Sequence, residues 1–404
     1  MPSLRLSILF IFLLCLHYSN AQVITHEDSL TAGLLSSEKA TVISGYGEGK
    51  FSFDTRYATA KANLTRAVLF VGHKFSNNVN FFSELEVEDG KVDGDGGEIA
   101  FEQAFLKFNL SKDVYITTGL FVPRIGITNE NHLPNTFNSN DRTYVETYII
   151  PSTWRELGIG LYGNVKKIAG LNYSLALVNG LSSANFEYGT GIREGRFEGR
   201  NATASNIAAT ASLLYYKGAF RVQASSYVGG SAGLSKREAD SLQLSYGAFG
   251  TPIMVNEVDL QFKKSGFAFK SLASVVNISN AEQINLAYAN NTASMLYGYY
   301  AEIAYNLMQA FKRPTRALTI FARYENLDMN YKIPSNGITN DLLKQQFIVV
   351  GINYSPIRGA IVKLDYVYKK TGTPNAALVV NPFPQAQTFY NTNGYINLGF
   401  GYSF

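Results

Sequence analysis

The sequence predicts an all-β chain, a transmembrane antiparallel β-barrel of 16 or 18 strands with a long constriction loop. Three observations predict it: a secretory start, an alternation of polar and apolar residues along most of the chain, and a last strand with one wholly apolar face. In that last strand Ile396, Leu398, Phe400, Tyr402 and Phe404 share one parity, while Asn397, Gly399, Gly401 and Ser403 share the other. Side chains on a strand point to opposite faces with a period of two. A flat apolar edge in water invites aggregation. The pattern suits a strand that closes a barrel in lipid, apolar side to hydrocarbon and polar side to a lumen.

Taken in chain order, Met1 to Ala21 reads as a signal peptide. Arg5 supplies the early positive charge, Leu6 to Leu16 the apolar core, and Ser19-Asn20-Ala21 the small residues before cleavage. Such a segment is too short to span a membrane. Cys15, the chain's one cysteine, lies inside it and follows Leu14, where a lipoprotein site wants a small residue nearby. Without it, neither disulfides nor thiol chemistry remain. Residues 22–40 form a short N-terminal segment, and 41–404 the barrel domain. No second domain is expected.

Composition agrees. Hydrophobic residues make up 46% of 404, yet mean hydropathy is only −0.03, as a chain with one wet face requires. No apolar run after the signal reaches the roughly 18–20 residues of a helical span. The 26 Tyr and 27 Phe against a single Trp favour aromatics suited to a membrane–water boundary. A large secreted β-sandwich would share this composition, but not the signal and the lipid-like parity together.

Roughly eighteen candidate strands emerge from the alternation. Phe81, Ser83, Leu85 and Val87 oppose Glu84, Glu86 and Glu88; Val258, Leu260 and Phe262 oppose Asp259, Gln261 and Lys263. Tyr299, Ala301 and Ile303 oppose Glu302, Ala304 and Asn306. Leu318, Ile320, Ala322 and Tyr324 oppose Arg323 and Glu325; Val362, Leu364, Tyr366 and Tyr368 oppose Lys363, Asp365 and Lys369. A basic residue aimed at the bilayer midplane costs about 2–4 kcal/mol, an acidic one less, so these charges belong inside.

Short links at Ser76–Asn78, Ser111–Asp113, Lys217–Gly218 and Ser355–Gly359 alternate with long ones. The long ones fall at Thr55–Thr65, Glu88–Glu98, Pro123–Thr153, Asn179–Asn206, Asn326–Gln345 and Lys370–Asn393. Short turns on one rim and long loops on the other are the outer-membrane pattern. Between Gly247 and Ala293 the rhythm breaks, with Lys264-Ser265-Gly266 short where a long loop is due. A barrel this wide leaves an aqueous lumen unless something fills it, and residues 22–40 are too few for a plug domain. Pro123–Thr153 is the expected constriction, being longer than an ordinary connection.

At that segment the chain resembles a known family. Thr118-Gly119-Leu120-Phe121-Val122-Pro123-Arg124-Ile125-Gly126, then Asn129 through Arg142, then Ile150-Pro151-Ser152-Thr153-Trp154-Arg155-Glu156-Leu157-Gly158 carry the resemblance. They look like the phosphate-selective porin O/P type, in its Bacteroidota version. Gly119, Phe121 and Pro123 match the entry to the family's constriction loop, and Arg155, Glu156 and Gly158 match its exit. Pro123 follows Phe121 by two residues where phosphate-selective members leave a longer gap, a departure that bears on phosphate specificity more than on fold. The resemblance implies passive trimeric diffusion pores, some selective for anions or phosphate. Expected partners are outer-membrane lipid, lipopolysaccharide and small hydrophilic solutes or inorganic anions, with no nucleic acid and no cofactor.

The expected mechanism is size exclusion at the loop, with sorting by Arg124, Arg142 and Arg155 against Glu84 and Glu86, and with Arg323 and Lys363 on the lumen face. Basic and acidic residues of lumen parity are otherwise even, which favours a transverse field over a strong filter. A net charge of +4 decides nothing. Asp89, Asp93, Asp95 and Glu98 crowd a Gly-rich loop as a weak Ca²⁺ candidate, although their spacing fits no named calcium loop and a solvated external loop is the commoner explanation. Arg193, Arg196 and Arg200, interleaved with Glu194 and Glu198, read as a charge-balanced surface loop or as a contact for lipopolysaccharide phosphates. An enzyme reading would need His26, His73 or His132, and no nucleophile turn accompanies any of them. A structural barrel without an open pore is the third reading.

Overall fold

In the computed structural model, which describes residues 40–93, 96–309, 311, 316–375 and 389–404, sixteen antiparallel strands close into one barrel. They are β1 (Thr41–Asp54), β2 (Thr59–Lys74), β3 (Val79–Glu88), β4 (Ile99–Asn109), β5 (Val114–Phe121), β6 (Glu156–Asn164), β7 (Leu171–Asn179) and β8 (Ile207–Lys217). The circuit continues through β9 (Phe220–Gly229), β10 (Ile253–Lys264), β11 (Phe267–Ile278), β12 (Met295–Asn306), β13 (Ala317–Lys332), β14 (Lys344–Ile357), β15 (Ala360–Thr371) and β16 (Thr392–Ser403). Each strand pairs with its sequence neighbours, and β1 closes on β16 with Tyr46 opposite Ser403 and Asp54 opposite Tyr395. The expected signal peptide, nearly all of 22–40 and Asp95 lie outside the described residues.

The alternation appears as two faces. On β16, Ile396, Leu398 and Phe400 are exposed while Asn397 and Gly401 are buried. Leu175, Leu213, Ile303, Ile348 and Leu364 continue the outward apolar belt. Of the charges expected inside, Glu84, Glu86, Asp259, Glu302, Arg323, Glu325, Lys363 and Asp365 are buried and Lys369 is half-buried, whereas Glu88 and Lys263, at or near strand ends, are exposed.

The count settles at sixteen rather than eighteen, and the rhythm does not break after Gly247. Strands β10 and β11 form a hairpin over residues 265–266, in the short-turn series with 218–219 and 358–359. The long connection that precedes them, 230–252, contains a helix, α2 (Lys236–Leu242), and the one that follows contains α3 (Ala281–Tyr288). A helix α1 (Tyr144–Tyr148) lies in the longest connection, 122–155. One long link is corrected. The expected loop at Thr55–Thr65 is a turn at residues 55–58, because β2 begins at Thr59 and its polar start pairs with β1, Phe51 opposite Ala62. A strand that continues past the apolar belt is wet on both faces and reads as loop.

The inner face is not uniformly polar. Ile253, Val255, Val276, Leu296, Phe321, Phe347 and Val349 point inward and pack with Ile125, Val145, Ile149, Ile150 and Trp154 from connection 122–155. A smaller cluster joins Tyr46, Val68, Phe70 and Phe82 to Leu133 of the same connection. The hydrophobic core therefore sits inside the barrel, between loop and wall.

Candidate functional site

The loop 122–155 is ordered by one carboxylate. Thr143 caps α1 with extended backbone, and its hydroxyl accepts from the Glu146 amide. The Glu146 carboxylate then accepts from the Ile127 and Thr128 amides at 2.7 and 2.6 Å, and from the Thr128, Thr143 and Tyr300 hydroxyls at 2.7, 2.9 and 2.9 Å. Gly126 is required there: its φ is +78° and a Cβ would stand 2.9 Å from the carboxylate. Asn129 ties the loop's two ends, its side chain donating to the Pro123 carbonyl and accepting from the Trp154 amide.

From this frame the loop reaches much of the wall. Gln223 donates to the Gly126 carbonyl, Lys270 to Thr136, and Lys363 to Ser139. Glu325 accepts from the Val145 amide, Asp365 from the Asn140 amide and side chain, and Glu302 from Asn138. Lys50 pairs with Asp141. The Arg193–Arg200 run also serves the loop. Arg196 donates to the Pro151 and Thr153 carbonyls at 2.8 Å, and Arg193 to the Thr147 and Ser152 carbonyls at 3.1 Å.

The seven residues singled out from sequence fall into separate neighbourhoods. Arg124 pairs with Glu130 at 2.7 Å and lies over the Tyr162 ring. Arg155 pairs with Glu198 at 3.1 Å, and Glu198 also takes Arg196 at 2.9 Å. Arg323 contacts Glu302 at 3.2 Å, Glu325 at 2.8 Å and the Ser139 hydroxyl at 2.7 Å. Lys363 lies over the Phe137 ring at 3.8 Å. Glu86 stands 3.7 Å from Arg66, and Glu84 stands 3.5 Å from His132. Arg142 donates to Thr153 at 2.6 Å. Burial and the neighbouring Arg66 guanidinium pull its pKa down, and Glu102, Glu48 and Glu86 oppose that pull. Glu84, Glu86 and Arg142 thus share the neighbourhood of Glu102 and Arg66, whereas Arg124 and Arg323 are engaged by Glu130 and by Glu302 and Glu325. In the Gly-rich loop, Asp89 accepts from Asn63 and Asp93 pairs with Lys91.

Among the buried charged residues that escaped the sequence reading are Glu48, Arg66, Glu102 and Glu257. Arg66 bonds Glu48 at 2.8 Å and also donates to the His132 carbonyl. Glu257 accepts from the Gly126 amide and from Ser225. Parity was available as a signal, since Glu48 alternates with Gly47 and Gly49. Burial opposes a charge on His132, but Glu102 and Glu84 outweigh it and push the imidazole up to about 10.

Between the loop and strands β8 to β13 lies a cavity of about 380 Å³. Its ionisable lining is Arg221, Lys263, Lys270, Arg323, Glu302 and Tyr216, with Tyr300 beside them. Arg221 is held by Asp259 at 2.6 Å, and Lys263 is exposed.

No family model matches the chain. A protein of Aquifex aeolicus described as uncharacterized is 29% identical over 345 residues, which are 82% of this chain and 76% of that protein. Salmonella typhi OmpF superposes with a TM-score of 0.56 at 12% identity, over 90% of this chain and 97% of its own. An anion-selective porin from Comamonas acidovorans gives 0.53 at 10% identity, over 90% and 99%. OmpT, an outer-membrane protein of Vibrio cholerae, gives 0.52 at 10% identity, over 91% and 99%. At such identities the likeness is one of fold: a closed sixteen-stranded porin-like barrel.

Proposed function

We propose that this chain, exported by a cleaved signal peptide, forms a water-filled channel in a bacterial outer membrane and passes small hydrophilic solutes or ions down their gradients, without catalysis. The observation that carries the reading is a closed barrel, apolar outside and charged inside, narrowed by a loop bonded to its inner wall. Arg142 stands at the acidic side of the passage with Glu84 and Glu86 buried behind it, Arg155 stands at the loop's exit, and Arg124, Arg323 and Lys363 hold the constriction in place. With Arg221 and Arg323 engaged by carboxylates, Lys263 and Lys270 give the cavity its positive sign, which favours small anions because charge confined by a low-dielectric wall selects the opposite sign. Phosphate belongs to that class, and the resemblance of the loop to phosphate-selective porins supports it. A homotrimer in lipid and lipopolysaccharide is the proposed assembly, since a solved form of the V. cholerae protein is described as a trimer.

A second reading, a structural barrel with no open passage, is favoured by the density of bonds between loop and wall. One measurement separates them: conductance of refolded protein in a planar bilayer under a KCl gradient, with phosphate then added. Steady ohmic steps are expected, with a reversal potential on the chloride side and partial block by phosphate. Correctly folded barrels that conduct nothing would retire the channel and leave the structural reading.

A further inference from the structure

Where the inward loop meets β3 and β4, three side chains from three segments converge. His132, Glu84 and Glu102 are 2%, 1% and 0% exposed. One ligand atom from each lies within 4.8 Å of the others. The imidazole Nε2 stands 3.4 Å from a Glu102 oxygen and 3.5 Å from a Glu84 oxygen. Both distances exceed the roughly 2.7–3.2 Å of a well-formed N–H···O bond. An imidazolium bridging two carboxylates has one proton at Nε2, and would draw one oxygen to hydrogen-bond length. Here Nε2 is nearly equidistant from both. Ligand atoms held about 2.0–2.1 Å from a tetrahedral ion stand roughly 3.3–3.4 Å apart along the tetrahedron's edges, close to the two distances from Nε2.

The surroundings orient the same three groups. His132 Nδ1 lies 3.1 Å from the Asn129 carbonyl, which can only accept, so it fixes a proton on Nδ1; an ion that displaces the proton the two carboxylates otherwise hold on Nε2 meets a lone pair aimed between them. Metal-ligating histidines regularly donate their other ring N–H in this way. Glu102 takes the Tyr46 hydroxyl at 2.7 Å on the oxygen nearest His132, and Glu84 takes the Gln103 amide at 3.2 Å. Each ligand thus has an outer partner that sets its direction.

We propose that Glu84, Glu102 and His132 bind one divalent first-row transition ion. Zinc suits one imidazole and two carboxylates with a fourth position for water. The ion ties β3 and β4 to the loop and so fixes the loop against that wall. Nothing in the site requires the barrel to conduct, so the proposal stands apart from transport.

The test uses the full chain without an affinity tag, refolded in detergent, equilibrated with Zn²⁺ and freed of excess before metal analysis. One zinc per chain is expected, with X-ray absorption showing the outer-shell scattering of one imidazole ring. Co²⁺ in place of zinc is expected to give the intense visible absorption of a tetrahedral site. H132Q and E102Q are expected to lose the ion, and Y46F to keep it with affinity lowered about 10–100-fold. Folding of each variant is read from its heat-dependent gel mobility. A wild-type chain that retains no stoichiometric ion, an absorption spectrum without imidazole outer-shell scattering, or an H132Q chain that binds zinc as wild type does would each overturn the proposal. If H132Q and E102Q fail to fold, the wild-type absorption spectrum and Y46F decide alone.

Discussion

Glu146 in the inward loop accepts a hydrogen bond from Tyr300 on β12 at 2.9 Å. The same carboxylate closes the loop on itself through the Ile127 and Thr128 amides, so one side chain both folds the loop and fastens it to the barrel. Glu146→Ala leaves two buried amides without an acceptor, at about 1–3 kcal/mol each. The sheet ladder is untouched. The expected outcome is a barrel of normal gel mobility whose loop is cleaved by trypsin at Arg124 or Arg142, where the wild-type loop resists. Equal resistance in the two proteins would show that Glu146 is not the fastener.

Trp154 reports on the loop's state without labelling, because it is the chain's one tryptophan. It is fully buried, 4.6 Å from the Tyr227 ring, and its indole N–H donates to Glu156 at 3.1 Å. Its fluorescence is expected to be blue-shifted and shielded from iodide in the folded protein. Asn129→Ala removes the acceptor of the Trp154 amide and the tie to Pro123. A red shift and stronger quenching are expected in that variant, with the barrel intact. An iodide-accessible Trp154 in the wild type would contradict the buried loop.

Selectivity is placed on the cationic cavity. Lys263 and Lys270 lie in its lining, Lys270 donating to the Thr136 carbonyl at 2.9 Å, whereas Arg221 and Arg323 are engaged by carboxylates. Replacing both lysines by glutamate changes the local charge by four units and leaves the ion pairs alone. The reversal potential in a KCl gradient is expected to move from the chloride side to the potassium side. Salt screens such charges over about 10 Å at 0.1 M, so the change is expected to shrink in concentrated KCl. An unchanged reversal potential would locate the selective step elsewhere.

The outward half of the barrel was legible because lipid imposes one rule on every strand: Leu398 and Phe400 outward, Asn397 and Gly401 inward. The inward half obeys no such rule. Val68 and Phe70 on β2 face the lumen to meet Leu133, so apolar residues occur at both parities and the alternation blurs. The site was legible only in part for a related reason. Glu84 and Lys363 could be assigned to the lumen from parity, but Glu84 meets His132 across 48 positions of sequence, and Lys363 meets the Ser139 carbonyl across 224. Such pairings follow from where the loop lands, which no local period encodes. The Arg193–Arg200 run was ambiguous for the same cause, since arginines that seek backbone carbonyls look like arginines that seek phosphate.

The seam between β1 and β16 offers a graded test of closure. Gly45 and Gly49 lie under the rings of Phe404 and Phe400, where a glycine surface receives an aromatic side chain from the neighbouring strand. A Cβ at Gly45 would stand 2.7 Å from the Val68 carbonyl oxygen and 3.1 Å from the Phe404 ring. Backbone in a sheet cannot yield as a ring can. At Gly49 the nearest backbone atom, the Asn63 carbonyl oxygen, is 3.1 Å away, and the pairing of β1 with β2 is interrupted there by a bulge between Glu48 and Lys50. A bulge loosens the ladder locally, so the strand has room to shift. Gly45→Ala is therefore expected to destabilise the folded barrel by about 1–3 kcal/mol, the usual range for overpacking, and Gly49→Ala by distinctly less. Urea unfolding of the two variants in detergent, followed by gel mobility, measures the difference. Equal midpoints would mean that the seam moves as one piece and that the bulge confers no slack.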